Sequence, residues 1–200
     1  MLRTATGLFA AAVLALASEC GGPGDAPPPD AAVPTDAPLP SARRVSMDYA
    51  SERFYAAPFP GEHLRAGDGT VDVSGAPNPY RTGIVLQIQQ ALRGADGFGT
   101  TSPIHFHLDG ELDRAQLPTA FSSIEPASPI VLVDVDPSSP ERGSRRPFDA
   151  YFQSDAGPYG DTFFLTLLPV QGVPLRPSTL YAAVITDALR GADGVPLERT

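Results

Sequence analysis

Residues 163–168 (FFLTLL) and residues 179–186 (TLYAAVIT) are the stretches that decide the fold class of this chain. Each is an apolar run of strand length that contains aromatic or β-branched residues, which are enriched in strands. Residues 103–109 (PIHFHLD), 130–135 (IVLVDV) and 148–152 (FDAYF) extend the pattern upstream. The 200 residues include 23 Pro and 19 Gly, a composition that favours turns over long helices. The sequence therefore predicts a mainly β fold, a β-sandwich with long loops.

One helix is predicted within this β pattern. Residues 84–92 (IVLQIQQAL) place apolar side chains at Ile84, Leu86, Ile88 and Leu92, and Gly94 follows as a helix end. We expect this segment to be a short helical insertion in the β domain.

A seven-residue repeat follows the predicted helix and returns near the end of the chain. Residues 91–97 and residues 188–194 both read ALRGADG. Gly accepts positive φ and Asp bonds its own backbone, so each copy is expected to form a turn. The flanks differ, and we predict a helix before the first copy and a strand before the second.

The N-terminus has the pattern of an export signal. Arg3 precedes residues 7–17 (GLFAAAVLALA), an apolar run that is shorter than the ~20 residues needed to span a bilayer but suits a secretory signal. Residues 17–20 (ASEC) resemble a lipobox, in which Cys20 would carry a lipid, although Glu19 departs from the usual small residue. The alternative is ordinary cleavage after Ala17. We expect residues 1–20 to be a signal peptide with Cys20 as the lipidation site.

A proline-rich segment separates this signal from the predicted domain. Seven of the eighteen residues from 23 to 40 are Pro, without apolar periodicity. Such a segment cannot bury enough apolar surface to offset the entropy of ordering. The expected organisation is a disordered tether over residues 21–45 and a folded domain over residues 46–200. The strand-like start at Gly194 stops at Thr200, so we expect the sequence to be a piece of a longer protein.

Charge and cysteine content narrow the classes of partner. The formal net charge is −9, and all 14 basic residues are Arg. Nucleic-acid binding requires a basic face and is therefore not expected. Cys20 is the only cysteine, which excludes an internal disulfide. The predicted membrane contact is the lipid on Cys20, at the bacterial outer membrane, in the periplasm or at the cell surface.

Two groups of residues were considered as candidate metal sites. His105 and His107 lie at i and i+2 on one strand face, with His63 or Asp109 as a third ligand. We favour a polar, solvent-facing strand side for this pair. Asp134 and Asp136, with Glu141, offer oxygens that suit Ca²⁺. No twelve-residue calcium loop follows, and we favour a turn after a buried strand; no metal or cofactor is expected at either place.

The closing part of the chain resembles bacterial Ig-like domains of the S-layer type. The resemblance lies in residues 165–169 (LTLLP), 174–181 (PLRPSTLY) and 193–197 (DGVPL). It implies an Ig-like β-sandwich in which Tyr181 packs in the core and its hydroxyl bonds to backbone.

The wider chain, over residues 54–200, resembles the N-terminal segment of large exported lipases, the virulence-factor lipase N-terminal family. Residues 58–60 (PFP), 77–79 (PNP) and 97–103 (GFGTTSP) are among the pieces that carry this resemblance. In that family the nucleophile lies in a later α/β-hydrolase domain, and no G-x-S-x-G motif occurs in this chain. The resemblance therefore assigns no catalytic residue here.

The expected function is that of a non-catalytic accessory or spacer domain, tethered at the bacterial envelope, with a downstream domain or another protein as its partner. One alternative is the non-catalytic front of an exported lipase or esterase whose catalytic domain lies beyond residue 200. Another is an extracellular carbohydrate- or protein-binding module, for which an exposed aromatic platform would speak, although the chain has no Trp.

Overall fold

The fold is seen in a computed structural model that describes residues 38–199. The predicted signal peptide, Cys20 and residues 21–37 lie outside the described residues. Five strands confirm the prediction of a mainly β fold, and each overlaps one of the predicted runs. They are β1 (Ile104–His107), β2 (Ile130–Asp134), β3 (Phe148–Asp155), β4 (Thr162–Pro169) and β5 (Tyr181–Ile185).

The strands form two antiparallel sheets. One sheet has the order β1-β4-β3, and the other pairs β2 with β5. Leu165 of β4 lies opposite both Phe106 of β1 and Phe152 of β3, while Leu132 lies opposite Ala183 in the second sheet. Buried side chains from both sheets join in one hydrophobic cluster because every second residue of a strand points to the same face.

The predicted helix is also present. α1 spans Gly83–Leu92 and is preceded by Asn78, whose side chain accepts a hydrogen bond from the Thr82 backbone N–H at 2.8 Å. Gly94 follows with a φ of +83°, a conformation that glycine adopts without strain. The described residues also form four single turns of 3-10 helix, at Phe54–Ala56, Glu62–Leu64, Arg114–Gln116 and Ser122–Ile124. Within residues 38–199, no helix has the length and apolar character needed to cross a bilayer.

The fold starts before Ser46, the first residue of the predicted domain. Ser41 bridges to Glu111, and both Ala42 and Val45 are buried in the core. A Cβ on Gly191 would overlap the carbonyl oxygen of Ala42, so this segment packs closely against the glycine. Residues 41–45 therefore belong to the fold, although their neighbourhood in proline-rich sequence placed them in the tether.

The two copies of ALRGADG have different structures. The first begins within the last turn of α1 and the second follows β5, so a helix leads into one copy and a strand into the other, as predicted. Leu92 of the first copy is 42% exposed, whereas the equivalent Leu189 is fully buried. Positive φ falls on Gly94 in the first copy and on Gly194 in the second, which are different positions of the repeat. The repeat is thus one sequence with two backbone conformations.

Candidate functional site

The two strand histidines lie on the outer face of the three-stranded sheet, beneath an aromatic segment formed by residues 53–59. Ile104 and Phe106 point into the core, which places His105 and His107 on the opposite face. The aromatic segment pairs with β1 through Phe59, whose backbone N–H donates to the His105 carbonyl at 3.0 Å. The histidine face that we expected to be open to solvent is therefore covered.

His105 is held between two aromatic rings. Its imidazole stacks on Phe164 at 4.8 Å and on Phe59 at 6.3 Å between ring centroids. The Nδ1 atom of His105 lies 3.0 Å from the Thr166 hydroxyl. Burial lowers the pKa of His105 to about 4.

His107 has a weaker set of contacts. Its Nε2 atom lies 3.9 Å from the carboxylate of Asp161, and its buried Nδ1 atom has no hydrogen-bond partner among the described residues. Burial lowers the pKa of His107, and the nearby Asp161 opposes that change. Asp161 itself is held by Arg53 at 2.6 Å and by the Thr162 backbone N–H at 2.8 Å. The Arg53–Asp161 ion pair joins the aromatic segment to the start of β4.

The proposed third ligands of a histidine metal site are engaged in other contacts. His63 packs against Tyr49 with ring centroids 5.1 Å apart. Asp109 accepts hydrogen bonds from the backbone N–H groups of Arg43 and Arg44. Across residues 38–199, no three His, Cys, Asp or Glu side chains come together in a group that could hold a metal ion.

The acidic residues after β2 form a turn. Asp134 is fully buried, and it accepts hydrogen bonds from the Asp136 backbone N–H at 3.0 Å and from the Ser139 hydroxyl at 2.5 Å. Asp136 accepts from Ser138 and from the Leu180 backbone N–H, which links this turn to the start of β5. The hydroxyl of Ser138 holds the pKa of Asp136 below its usual range. The oxygens considered for Ca²⁺ are thus engaged in local hydrogen bonds.

Glu141, the remaining calcium candidate, is bound by two arginines. Arg146 and Arg176 both donate to the same carboxylate oxygen. These two hydrogen bonds lower the pKa of Glu141. Glu141 therefore acts as an anchor between the turn and the loop that precedes β5.

Tyr181 has the contact that the Ig-like resemblance implied. Its hydroxyl accepts a hydrogen bond from the Arg176 backbone N–H at 3.0 Å, and its ring packs against the core. The Arg146 guanidinium lies 6.0 Å from the ring centroid. The hydroxyl fastens the preceding loop to β5, which is a structural role.

α1 carries a row of exposed apolar side chains. Ile84, Ile88 and Leu92 are spaced at i, i+4 and i+8, and they are 59%, 52% and 42% exposed. No residue of α1 is buried, and the Gln89 side chain donates to the Ala76 carbonyl at 3.0 Å. The sequence pattern therefore predicted the position of the helix, but the exposure of its apolar side chains is seen only in the structure.

An exposed tyrosine pair lies next to the N-terminus of α1. Tyr80 is 70% exposed, and its ring meets that of Tyr159 edge to face at 6.0 Å. The hydroxyl of Tyr159 lies 2.8 Å from the Thr82 hydroxyl. The pair has no signature in the sequence, because Tyr80 and Tyr159 are far apart in the chain and neither lies in a recognisable motif.

No family model, curated protein or solved structure matches this chain. The functional conclusions below therefore depend on the residues and on their geometry.

Proposed function

We propose that this chain is an exported, non-catalytic accessory or spacer domain of the bacterial envelope, anchored through a lipid on Cys20. One observation carries the proposal: the His and Asp side chains that could act in catalysis or bind a metal make contacts within the fold instead. His105 lies between two aromatic rings, and Asp134 is buried and hydrogen-bonded within its own turn. A stable domain whose reactive groups are engaged internally suits a spacing role.

The length of sequence before the described domain supports the tether in this proposal. The described residues start at Pro38, so residues 21–37 lie between Cys20 and this domain in the sequence. At ~3.1 Å per residue in an extended proline-rich chain, that segment would reach roughly 50 Å. This is enough to separate the domain from the membrane surface that the lipid occupies.

Labelling cells with radioactive palmitate tests the anchor. We expect label on the wild-type protein and none on the Cys20→Ser variant, with the variant leaving the membrane fraction. Ser18→Ala is the matched control, because it changes a neighbouring residue and keeps the cysteine. Equal labelling of wild type and Cys20→Ser would overturn the lipid anchor.

An ester-hydrolysis assay on the full chain tests the non-catalytic part of the proposal. We expect the rate with short-chain p-nitrophenyl esters to equal the rate without protein. Turnover that is lost in His105→Ala or His107→Ala would contradict the proposal. The coding sequence beyond Thr200 would show whether the domain serves an α/β-hydrolase, in which case it is the front of an exported lipase or esterase.

A second candidate function, an extracellular binding module, is favoured by the tyrosine pair of Tyr80 and Tyr159. Exposed tyrosines present a rigid apolar ring together with a hydroxyl, a combination that is enriched in binding surfaces. Binding of the chain to immobilised polysaccharides tests this candidate. We expect Tyr80→Ala to weaken binding at least tenfold and Tyr49→Ala, which changes another exposed tyrosine, to leave it unchanged. Absence of binding by the wild-type chain removes this candidate.

A further inference from the structure

The outer edge of β5 has backbone groups without partners. Among the described residues β5 pairs only with β2, and the pairing continues beyond the strand ends through Leu180 and Thr186. Along an antiparallel pair, successive residues direct their backbone N–H and C=O groups alternately toward and away from the partner strand. The residues between Leu180 and Thr186 therefore divide into two sets. Ala182 and Val184 direct their N–H and C=O groups toward β2. The other set, formed by Tyr181, Ala183 and Ile185, directs these groups away from it.

No other strand uses this second set of groups. Within residues 38–199, neither the sheet pairing nor the hydrogen bonds between loops involve the backbone N–H or C=O of Tyr181, Ala183 or Ile185. An unpaired edge of this kind is a template for another strand. The ligand that its chemistry selects is an extended polypeptide.

The sequence of β5 lacks the features that usually protect such an edge. Natural edge strands carry charges, especially Lys, or Pro and bulges that prevent pairing. Residues 180–186 (LYAAVIT) contain no charged residue, no Pro and no Gly. Val184, on the outward face, is 43% exposed.

A groove runs beside the end of this edge. It has a volume of about 440 Å³ and is bordered by apolar side chains, among them Ile185, Phe106 and Leu197, and by the charged Asp187, Glu198 and Arg199. Because Ile185 packs against the core, the groove opens on the core-facing side of the sheet.

We propose that β5 pairs with β5 of a second copy of this chain, antiparallel and about a twofold axis at Ala183. In this register Tyr181 lies opposite Ile185 of the second copy, and Ala183 lies opposite the same residue of that copy. All the free N–H and C=O groups of the three edge residues are then satisfied. The two β2-β5 sheets become one continuous sheet of four strands.

The self-pairing register is favourable for side chains as well as for the backbone. Tyr181 and Ile185 form an aromatic and β-branched cross-strand pair, which stabilises antiparallel sheets. Tyr181 of the second copy lies next to the groove at Ile185. On the outward face Ala182 pairs with Val184, which covers part of the exposed valine.

Charge favours β5 over α1 as the contact between copies. The chain has a net charge of −9, so a contact between two copies is least unfavourable where the local surface lacks charge. Residues 180–186 are uncharged, whereas Arg81 and Arg93 flank α1, and pairing of two α1 helices would bring like charges together. An unrelated strand that occupies the edge in place of a second copy is one outcome of the test below. The proposal concerns residues 45–199 and is independent of lipidation.

Cysteine cross-linking tests the register. The full chain carries Cys20→Ser, so that the new cysteines are the only ones, together with Ala182→Cys and Val184→Cys. In the proposed register these two positions face each other across a non-hydrogen-bonded pair, where Cβ atoms lie close enough for a disulfide. We expect a disulfide-linked dimer under mild oxidation. A control with Leu39→Cys and Val195→Cys, at exposed positions outside β5, should stay monomeric.

The molar mass in solution tests the dimer itself. Light scattering on the Cys20→Ser chain is expected to give twice the monomer mass, and Val184→Lys should weaken association at least tenfold by placing like charges on one edge. Mixing Val184→Lys with Val184→Glu should restore dimers, and matching melting curves would show that both variants fold.

Three outcomes would overturn the proposal. The first is a monomer mass for the Cys20→Ser chain. The second is a dimer that is indifferent to Val184→Lys. The third is an edge occupied only by a strand of another protein.

Discussion

His105 occupies a place in the fold that favours the neutral form of its imidazole. Its ring is stacked between Phe59 and Phe164, and its one polar contact is the Thr166 hydroxyl. Partial burial of the ring removes some of the water that would stabilise the charged form. The lowered pKa is the electrostatic consequence of that packing.

The free energy of unfolding is therefore expected to fall in mild acid. The pKa of His105 is about 4 in the folded chain, against 6.5 for an ordinary histidine. Below pH 6.5 the unfolded chain binds a proton that the folded chain does not bind, so the stability falls as the pH goes from 6.5 toward 4 and is constant above. Thermal melts across this range measure the effect. His105→Phe keeps the aromatic stacking and removes the titrating group, so its stability should fall less between pH 6.5 and pH 4. If the stability of His105→Phe fell as much as that of wild type, another residue would be the cause of the pH dependence.

Among substitutions of a single polar residue, we expect those at Asp134 to lower the free energy of unfolding the most. Its carboxylate is fully buried and holds the Asp136 backbone N–H and the Ser139 hydroxyl. Asp134→Ala leaves these donors without their acceptor, which should lower the free energy of unfolding by about 2–3 kcal/mol in urea titrations. Asp187→Ala changes an exposed aspartate and should stay within about 0.5 kcal/mol of wild type. Equal effects of the two variants would contradict the role given to Asp134.

At the scale of elements, the two copies of ALRGADG have the same local sequence in two different tertiary environments, so the effects of sequence and environment can be compared. Gly191, the fourth residue of the second copy, lies against the backbone of Ala42. Gly97, the seventh residue of the first copy, has no atom within 4 Å of the place where a Cβ would lie, and its φ is not positive. Alanine should therefore be excluded at one position and tolerated at the other.

Gly191→Ala should lower the free energy of unfolding by about 2–3 kcal/mol, because the new methyl group overlaps a backbone carbonyl that cannot move alone. Gly97→Ala is the matched control within the same heptapeptide and should change stability by less than about 0.5 kcal/mol. Chemical denaturation of both variants measures the difference. If Gly97→Ala were as destabilising as Gly191→Ala, the repeat would act through its own sequence rather than through contact with Ala42.

The strands were predictable because each shows its pattern within a few residues. Ile104 and Phe106 alternate with the two histidines, and the structure buries the first pair in the core as the alternation predicts. The helix was predictable for a similar reason, since Gly94 marks its end locally. The cover over the histidines was not predictable. Residues 53–59 lie about fifty residues upstream of β1. Their sequence does not indicate which strand they pack against.

At the scale of the whole molecule, the N-terminal boundary of the domain is the main difference from the expected organisation. Ala42 and Val45 belong to the core, and Arg43 joins Asp193 of the second repeat copy through an ion pair. This contact brings one end of the described chain to the other. Residues 41–45 are thus needed to close the fold.

Two N-terminal truncations test this boundary. A chain that starts at Pro38 should unfold at the same denaturant concentration as one that starts at Gly21. A chain that starts at Ser46 loses two buried side chains and the bridges to Glu111 and Leu108, and it should be less stable by at least about 3 kcal/mol. If the chains that start at Pro38 and at Ser46 were equally stable, residues 41–45 would not contribute to the fold and would belong to the tether instead.

The sequence alone determined the strands, the helix and the turns of this protein, since period-two alternation and glycine positions are local properties of the chain. It also predicts export and a lipid at Cys20, which remain to be tested. Only the tertiary structure decided which surfaces are covered. The same seven letters leave Leu92 exposed and bury Leu189, and they put positive φ on different glycines. The physical reason is that burial depends on what the rest of the chain brings against a segment, and Ala42 packs against the second copy alone.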